Sequence, residues 1–228
     1  KTNEFIPLHV PLFIGDEQKN VANTIKSTFV SSVGKYVDQF EFDLANRLKI
    51  KRSVAVVNGT SALQVALRLV GVKKNDEVIT QSLTFVATAN AIKYNNAHPV
   101  FIDVDLDTMG LSPVAVNDFL EEFGEIRDGT CFNKQSGRKI SACMPMHTFG
   151  FPVHLDELVK VCNKWNIPLV EDAAESLGSE YHDIPTGNFG LVSAISFNGN
   201  KIITTGGGGS LLTNSDKIAT NTSGVSTN

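Results

Sequence analysis

The chain has 228 residues, 42% of them apolar, which is enough to bury a substantial core as one large α/β domain or two small ones. Its 20 basic and 24 acidic residues give a formal charge of −4, which gives no reason to expect a nucleic-acid partner. Three scattered cysteines suit a reducing compartment and argue against a disulfide scaffold or a metal site, and no apolar run is long enough to span a bilayer. We therefore expect a soluble, cytoplasmic protein without a membrane partner.

The predicted elements begin with two helices and continue as alternating strands and helices. The first helices, at 16–29 and 35–49, are expected to bury one apolar face each: Val21, Ile25 and Phe29 in the first, and Phe40, Leu44 and Leu48 in the second. Strands are predicted at 53–57, 77–80, 99–104, 139–144, 167–171 and 191–197, and further helices at 61–71, 86–95, 113–123 and 155–165. This alternation predicts a mainly parallel central sheet with helices on both faces.

The last residues of the chain are predicted not to pack. After Leu211-Leu212-Thr213 the sequence becomes too polar for a core. We therefore divide the chain into a folded domain at 1–216 and a polar tail at 217–228, truncated or disordered. Because the chain begins at Lys1 rather than at a methionine, we expect it to be part of a longer protein.

The segment Asn58-Gly59-Thr60-Ser61 lies at a predicted strand-to-helix turn. Such turns meet at the carboxyl edge of a parallel sheet, where ligands bind. Free amides at a helix start, with two hydroxyls, form a phosphate site. Taken alone, the segment is better explained by ordinary capping, with Thr60 or Ser61 satisfying the helix N-terminus. It is neither a Walker A sequence nor GxGxxG.

Two further residues are expected at the same edge. Asp172 follows a buried strand, where it could cap a helix, form a local ion pair, or face the pyridine nitrogen of a pyridoxal cofactor. Lys201 follows the strand 191–197 and precedes four glycines, Gly206 to Gly209. Its amine is expected to reach into the cleft as a Schiff-base lysine, although an exposed lysine before a flexible loop is the commoner case. Ser196 adds a hydroxyl to the phosphate site.

Together these segments resemble the DegT/DnrJ-type nucleotide-sugar aminotransferases, a branch of the fold type I pyridoxal-phosphate enzymes. The resemblance runs from about Ile6 to Asp216. Its most specific blocks are Glu171-Asp-Ala-Ala-Glu-Ser176 and Ser196 to Gly209, and its other blocks are Ser31 to Lys35, Asn58 to Ala62, Thr84 to Ala89 and Phe101 to Asp105. The resemblance implies the large domain of a fold type I transferase, without the small C-terminal domain that family members carry.

The resemblance also implies a role for each matching residue. Lys201 would bind pyridoxal 5′-phosphate covalently and move protons, and Asp172 would pair with its pyridine nitrogen. Gly59, Thr60, Ser61 and Ser196 match the phosphate site, Phe85 the aromatic stacked on the ring, Glu175 the contact at the ring hydroxyl, and Ser31 and Ser32 the approach to the sugar. Core packing for Phe85 and an ordinary polar loop for the two serines are the alternatives.

The implied reaction is transamination of a nucleotide-linked 4-keto-6-deoxy sugar, with a donor such as glutamate, to a 4-amino sugar. The run Gly206 to Gly209 resembles the subgroup acting on UDP-linked sugars in legionaminic-acid or bacillosamine pathways. A homodimer is implied as well, and little turnover is expected from this chain alone. The alternatives are a non-catalytic relative that binds the cofactor or a sugar nucleotide, and a pyridoxal-dependent sugar dehydratase, although Lys201 favours aminotransfer.

Overall fold

The computed structural model describes residue 5 and residues 10–223 of the chain. The helices within them are α1 Glu17–Ser27, α2 Lys35–Arg47, α3 Gly59–Leu69, α4 Val86–Tyr94, α5 Pro113–Phe123, α6 Leu155–Lys164 and α7 Asp216–Ser223. The strands are β1 Arg52–Val56, β2 Glu77–Gln81, β3 His98–Ile102, β4 Gly124–Arg127, β5 Thr130–Asn133, β6 Ile140–Cys143, β7 Val170–Asp172, β8 Glu180–Tyr181, β9 Ile184–Pro185, β10 Val192–Ser196 and β11 Gly209–Thr213. None of these helices combines the length and apolar character that crossing a membrane requires.

Seven strands form the central sheet, in two hydrogen-bonded groups. The first group has the order β1-β11-β10-β7, and the second has the order β3-β2-β6. Parallel bridges from Cys143 to Leu169 and from Met146 to Asp172 connect β6 to β7. All neighbouring strands are parallel except β11, which is antiparallel to both β1 and β10. The strands β1, β10 and β7 therefore point the same way, and their carboxyl ends lie at one edge.

Alternate residues of each strand pack on opposite faces of the sheet, as the two-residue strand period requires. In β2, Val78 joins a core with the apolar residues of α3 and α4, whereas Ile79 joins a core with α5 and α6. In β10, Ala194 packs on the first side and Ile195 packs with Leu44 and Leu48 on the other. Both faces are covered by helices, which confirms the predicted α/β architecture with parallel strand pairs.

The predicted burial of an apolar face is confirmed for the second helix and is wrong for the first. Leu44 and Leu48 are buried as expected, and Phe40 is partly buried against their cluster. The expectation for the first helix is wrong, because Val21, Ile25 and Phe29 are 61%, 64% and 59% exposed. Their spacing does place Val21 and Ile25 on one face of α1, whereas Phe29 lies beyond the helix end at Ser27, and α1 buries no residue against the described part of the chain. Periodicity shows which residues share a face and not whether anything covers it.

The C-terminal segment also differs from the prediction. Residues from Asp216 form helix α7, and Ile218 and Ala219 are buried, with Ile218 in the core beside α3. The prediction that nothing beyond 216 packs is therefore wrong for this helix. Two adjacent apolar residues suffice to dock a short polar helix on an existing core. The part of the predicted tail at 224–228 lies outside the described residues.

Candidate active site

A cavity of about 340 Å³ opens at the carboxyl edge of β1, β10 and β7. Its lining comes from the turn after β1, the start of α4, the end of β7 and the loop after β10. The lining residues are Asn58, Gly59, Thr60, Leu63, Phe85, Ala87, Met146, Asp172, Ala174, Ser196, Asn198, Asn200 and Lys201. Segments that are far apart in sequence thus meet at one place, as the parallel topology predicts.

The first turn of helix α3 forms one wall of this cavity. Asn58 is the N-cap residue, and its side-chain oxygen accepts a hydrogen bond of 2.8 Å from the Ser61 amide. The capping interpretation offered for Thr60 and Ser61 is therefore wrong as to the residue, because the helix begins two positions earlier than predicted. The amides of a first helical turn have no partner inside the helix, so the positive end of α3 faces the cavity.

Gly59 brings this helix end close to Ser196. A Cβ atom at Gly59 would lie 2.7 Å from the Ser196 Cβ and 3.0 Å from its Oγ. Only a glycine allows the turn and the end of β10 to approach so closely. Thr60 and Ser196 consequently line the same cavity, at the start of α3.

Asp172, the last residue of β7, lies on the cavity floor and is 2% exposed. Its Oδ2 accepts a hydrogen bond of 2.7 Å from Thr88 Oγ1, and its Oδ1 accepts one of 3.3 Å from the Ala174 amide. Burial raises the pKa of the Asp172 carboxyl above its ordinary 3.8, although both hydrogen bonds and the charge of Lys201 act in the opposite direction. A carboxylate so placed is a strong partner for a protonated nitrogen.

Lys201 projects its amine into the cavity from the loop between β10 and β11. Its side chain is only 11% exposed, and Nζ lies 3.0 Å from Glu175 Oε1. The other Glu175 oxygen accepts a hydrogen bond of 3.0 Å from the Phe149 amide, so the carboxylate is held from both sides. The Phe85 ring lies at the cavity mouth, 62% exposed, with its centroid 5.8 Å from Nζ.

A second buried acid, Glu171, precedes Asp172 in β7. Glu171 accepts hydrogen bonds from the amides of Gly187, Phe189 and Gly190 and lies 3.1 Å from His147 Nε2, with both side chains fully buried. Burial raises the pKa of this carboxyl, but the hydrogen bond from His147 and the amides outweigh burial and lower it overall. Glu171 therefore anchors the loop 187–190 to the strand that carries Asp172.

The structure brings together Gly59, Thr60, Phe85, Asp172, Ser196 and Lys201, all taken from separate parts of the sequence. Glu175 borders the cavity through its contact with Lys201 and lines the adjoining groove with Phe85 and Met146. Among the described residues, Ser61 does not line the cavity, and Ser31 lines a different groove beside α1, with Ser32 exposed in the same loop. Thr88, which contacts Asp172, lies in the block Thr84 to Ala89 that carries the resemblance, but a threonine inside an apolar helix gives no indication of that contact.

One group with metal-ligand chemistry occurs in the described part of the chain, at Asp105, Asp107 and His154. His154 Nε2 lies 2.9 Å from Asp107 Oδ2, and that hydrogen bond lowers the pKa of the Asp107 carboxyl. None of the three residues lines the Lys201 cavity. The hydrogen bond between Asp107 and His154 connects the loop after β3 to the start of α6, which is a structural role.

Comparison with known proteins agrees with this arrangement. The family model of the DegT/DnrJ/EryC1/StrS aminotransferases matches residues 13–226. The putative pyridoxal phosphate-dependent aminotransferase EpsN of Bacillus subtilis (strain 168) is 42% identical over 92% of this chain and 52% of its own length. The GDP-perosamine synthase of Escherichia coli O157:H7 is 36% identical over 92% of this chain and 54% of its own.

Solved structures give the same result for the fold. The aminotransferase from Psychrobacter cryohalolentis superposes with a TM-score of 0.79 at 30% identity, covering 91% of this chain and 49% of that one. This chain spans about half the length of the curated relatives that it matches.

Proposed function

Because the chain belongs to the DegT/DnrJ/EryC1/StrS aminotransferase family, we propose that it forms the cofactor-binding part of an enzyme that aminates a nucleotide-linked keto sugar. The observation that supports this proposal is the convergence of Lys201, Asp172 and the start of α3 on one cavity. An amine, a buried carboxylate and a helix N-terminus are three groups of different chemistry. Each matches a different part of pyridoxal phosphate.

The residues present fit this cofactor. The amides of the α3 first turn, with Thr60 and Ser196, suit a phosphate, and the close approach at Gly59 keeps them together. Asp172 accepts hydrogen bonds from Thr88 and from the Ala174 amide, and it would accept a third from a protonated pyridine nitrogen, whose positive charge would offset the burial of the carboxylate. Lys201 Nζ supplies the amine that binds the aldehyde carbon. When bound, the cofactor supplies the electron sink for chemistry at the amine-bearing carbon.

The side chains around Lys201 orient its amine. Glu175 Oε1, 3.0 Å from Nζ, accepts a hydrogen bond from the amine and so fixes its position beside the cavity. Lys201 is thereby placed to carry a proton to and from the amine-bearing carbon. Phe85 presents a flat apolar ring at the cavity mouth, 5.8 Å from Nζ, which would limit the access of water to that proton transfer once a cofactor covers the ring.

The proposed substrate is a 4-keto-6-deoxy sugar linked to a nucleotide, with glutamate as donor, and the second copy of a homodimer completes the assembly. The GDP-perosamine synthases among the relatives support a sugar nucleotide and make GDP a direct alternative to the UDP that the Gly206 to Gly209 run suggests. The sugar nucleotides with UDP and with GDP are therefore compared in the same assay.

The first test is the visible absorption of the purified chain with pyridoxal phosphate. We expect a band from lysine-bound cofactor in the wild type, its loss in Lys201→Ala, and its bleaching by glutamate. Lys160→Ala is the matched control, because this lysine is exposed on α6 and its one ion pair among the described residues is with Asp156. A band that survives in Lys201→Ala would refute the assignment.

Product analysis then tests the reaction. Formation of an amino sugar and 2-oxoglutarate from the keto-sugar nucleotide and glutamate supports aminotransfer. Stoichiometric loading of Lys201 that is not followed by bleaching with glutamate supports the non-catalytic, cofactor-binding alternative.

A further inference from the structure

A chain of hydroxyl groups leads away from Asp172 into the protein. Thr88 Oγ1 lies 2.7 Å from Asp172 Oδ2 and 2.6 Å from Thr84 Oγ1. Thr84 Oγ1 in turn lies 3.1 Å from the sulfur of Met146. Thr88 and Met146 are buried, whereas Thr84 is half-buried and lines the groove beside the cavity.

The charge of Asp172 determines the direction of the hydrogen bonds along this chain. Each threonine hydroxyl has one proton to donate. When Asp172 is ionised, its Oδ2 can only accept, so Thr88 donates to it and Thr84 donates to Thr88. When Asp172 is protonated and donates to Thr88, the direction reverses, and Thr84, which is half-buried, is left to donate to the Met146 sulfur or to solvent.

The two directions differ in energy because the ends of the chain differ as acceptors. A carboxylate is a strong acceptor, and hydrogen bonds to it are shorter and about twice as strong as neutral ones. A thioether sulfur is a weak acceptor. The hydrogen-bond chain therefore favours the direction that ends on an ionised Asp172. Burial raises the pKa of that carboxyl, and the uncharged Thr88 hydroxyl acts against this by donating to the ionised form.

From this geometry we propose that Thr88, supported by Thr84, is a positioning residue that keeps Asp172 ionised and holds its Oδ2 in place. The inference rests on the proposed function, since it concerns the carboxylate assigned to the pyridine nitrogen. The other groups that act on Asp172 are the Ala174 amide, the Lys201 ammonium and His147. The hydrogen bond from Thr88, at 2.7 Å, is shorter than the 3.3 Å hydrogen bond from the Ala174 amide.

The test is a pH titration of the Asp172 carboxyl by ¹³C NMR in the 228-residue chain without cofactor, with Asp172→Asn used to assign the signal. We expect Thr88→Val to raise the carboxyl pKa, Thr88→Ser to restore it, and Thr84→Val to raise it by a smaller amount. Thr80→Val is the matched control: Thr80 is equally buried in β2, and its hydroxyl donates to the Met144 carbonyl at 2.7 Å. A Thr88→Val chain that titrates like the wild type, or a Thr80→Val chain that shifts equally, would overturn the proposal.

The second measurement is the affinity of the Thr88 variants for pyridoxal phosphate. Thr88→Val is expected to weaken pyridoxal phosphate binding by about tenfold, while Thr88→Ser keeps the affinity, because a hydrogen bond to a charged group is lost in the first variant only. Affinity that is equal in wild type and Thr88→Val overturns the proposal. If the wild-type chain binds no cofactor, the proposed function fails, and the carboxyl titration still decides the role of Thr88.

Discussion

Gly209 is the position at which a single methyl group should do most damage to the candidate site. This residue begins β11 and pairs with Val56 on one side and with Ser196 on the other. A Cβ atom at Gly209 would lie 2.5 Å from the Asn58 carbonyl carbon, 2.6 Å from its oxygen and 2.7 Å from the Gly59 nitrogen. All three atoms belong to the backbone, so no change of rotamer can relieve the contact.

The size of the effect follows from these distances. The turn before α3 must move by about 0.9 Å before the nearest contact, now 2.5 Å, reaches the 3.4 Å of ordinary van der Waals contact. Overpacking of this kind costs about 1–3 kcal/mol in the free energy of unfolding. For a chain of this size, a loss of about 2 kcal/mol corresponds to a decrease in Tm of about 4–8 °C. A displacement of about 1 Å at a site can also lower its activity about 100-fold.

We expect Gly209→Ala to lower the midpoint of urea unfolding, followed by circular dichroism, and to weaken pyridoxal phosphate binding. Gly207→Ala is the matched control, because a Cβ atom at Gly207 meets nothing within 4 Å and the residue does not have a positive φ. A Gly209→Ala chain as stable as Gly207→Ala and equal to it in cofactor affinity would refute the assignment of Gly209 as the spacer between β11 and the turn at Asn58 and Gly59, which we name the phosphate turn after its proposed ligand.

Two predictions concern the buried acids of β7. Glu171→Gln should lower the free energy of unfolding by about 3–5 kcal/mol at neutral pH, because it breaks a buried pair with His147 and a set of amide hydrogen bonds. Since the pKa of Glu171 is lowered on folding, this contribution is present above its ordinary value of 4.5 and is lost as the pH falls below it, so urea titrations of wild type and variant should converge in acid. Asp172→Asn should have the opposite effect on the cofactor-free chain. Because the pKa of Asp172 is raised on folding, its ionised form lowers the stability at neutral pH. The variant should therefore have a free energy of unfolding higher by on the order of 1 kcal/mol and a higher melting temperature, while its cofactor affinity is lost. An Asp172→Asn chain that is less stable than the wild type at neutral pH, or a Glu171→Gln deficit that stays constant into acid, would contradict these assignments.

The parts of the fold that the sequence predicts well are those governed by local periodicity. The strand ending at Val56 and the helix that follows it could be predicted because a β-branched run gives way to an apolar helical pattern at Asn58-Gly59. Lys201 and Asp172 could be located because each follows an apolar strand, and parallel strands bring their carboxyl ends together. Their meeting at one cavity is a consequence of topology, which the alternation of elements already implied.

The features that escaped prediction depend on contacts between distant residues. The hydrogen bond from Thr88 to Asp172 joins α4 to β7, and nothing in the helix that contains Thr88 indicates that its hydroxyl points at an acid. The antiparallel insertion of β11 was missed because three glycines precede it and a fourth begins it, which masks a strand of only five residues. Ser31 lies in an exposed loop, and the polar residues of such loops carry no information about which cavity they approach.

The position of β11 determines when the cavity can form. Within the described residues β1 has no strand partner other than β11, and their register joins Arg52 to Thr213. During ribosomal synthesis β1 and the phosphate turn must therefore wait for nearly all of the described chain before they are fixed. Pairings between such distant residues are slow, because the entropy of closing the intervening loop is lost before the contacts form. The insertion of β11 is thus the step that completes the cavity, and a ligand entering there meets a finished fold and cannot act as a template for its early stages.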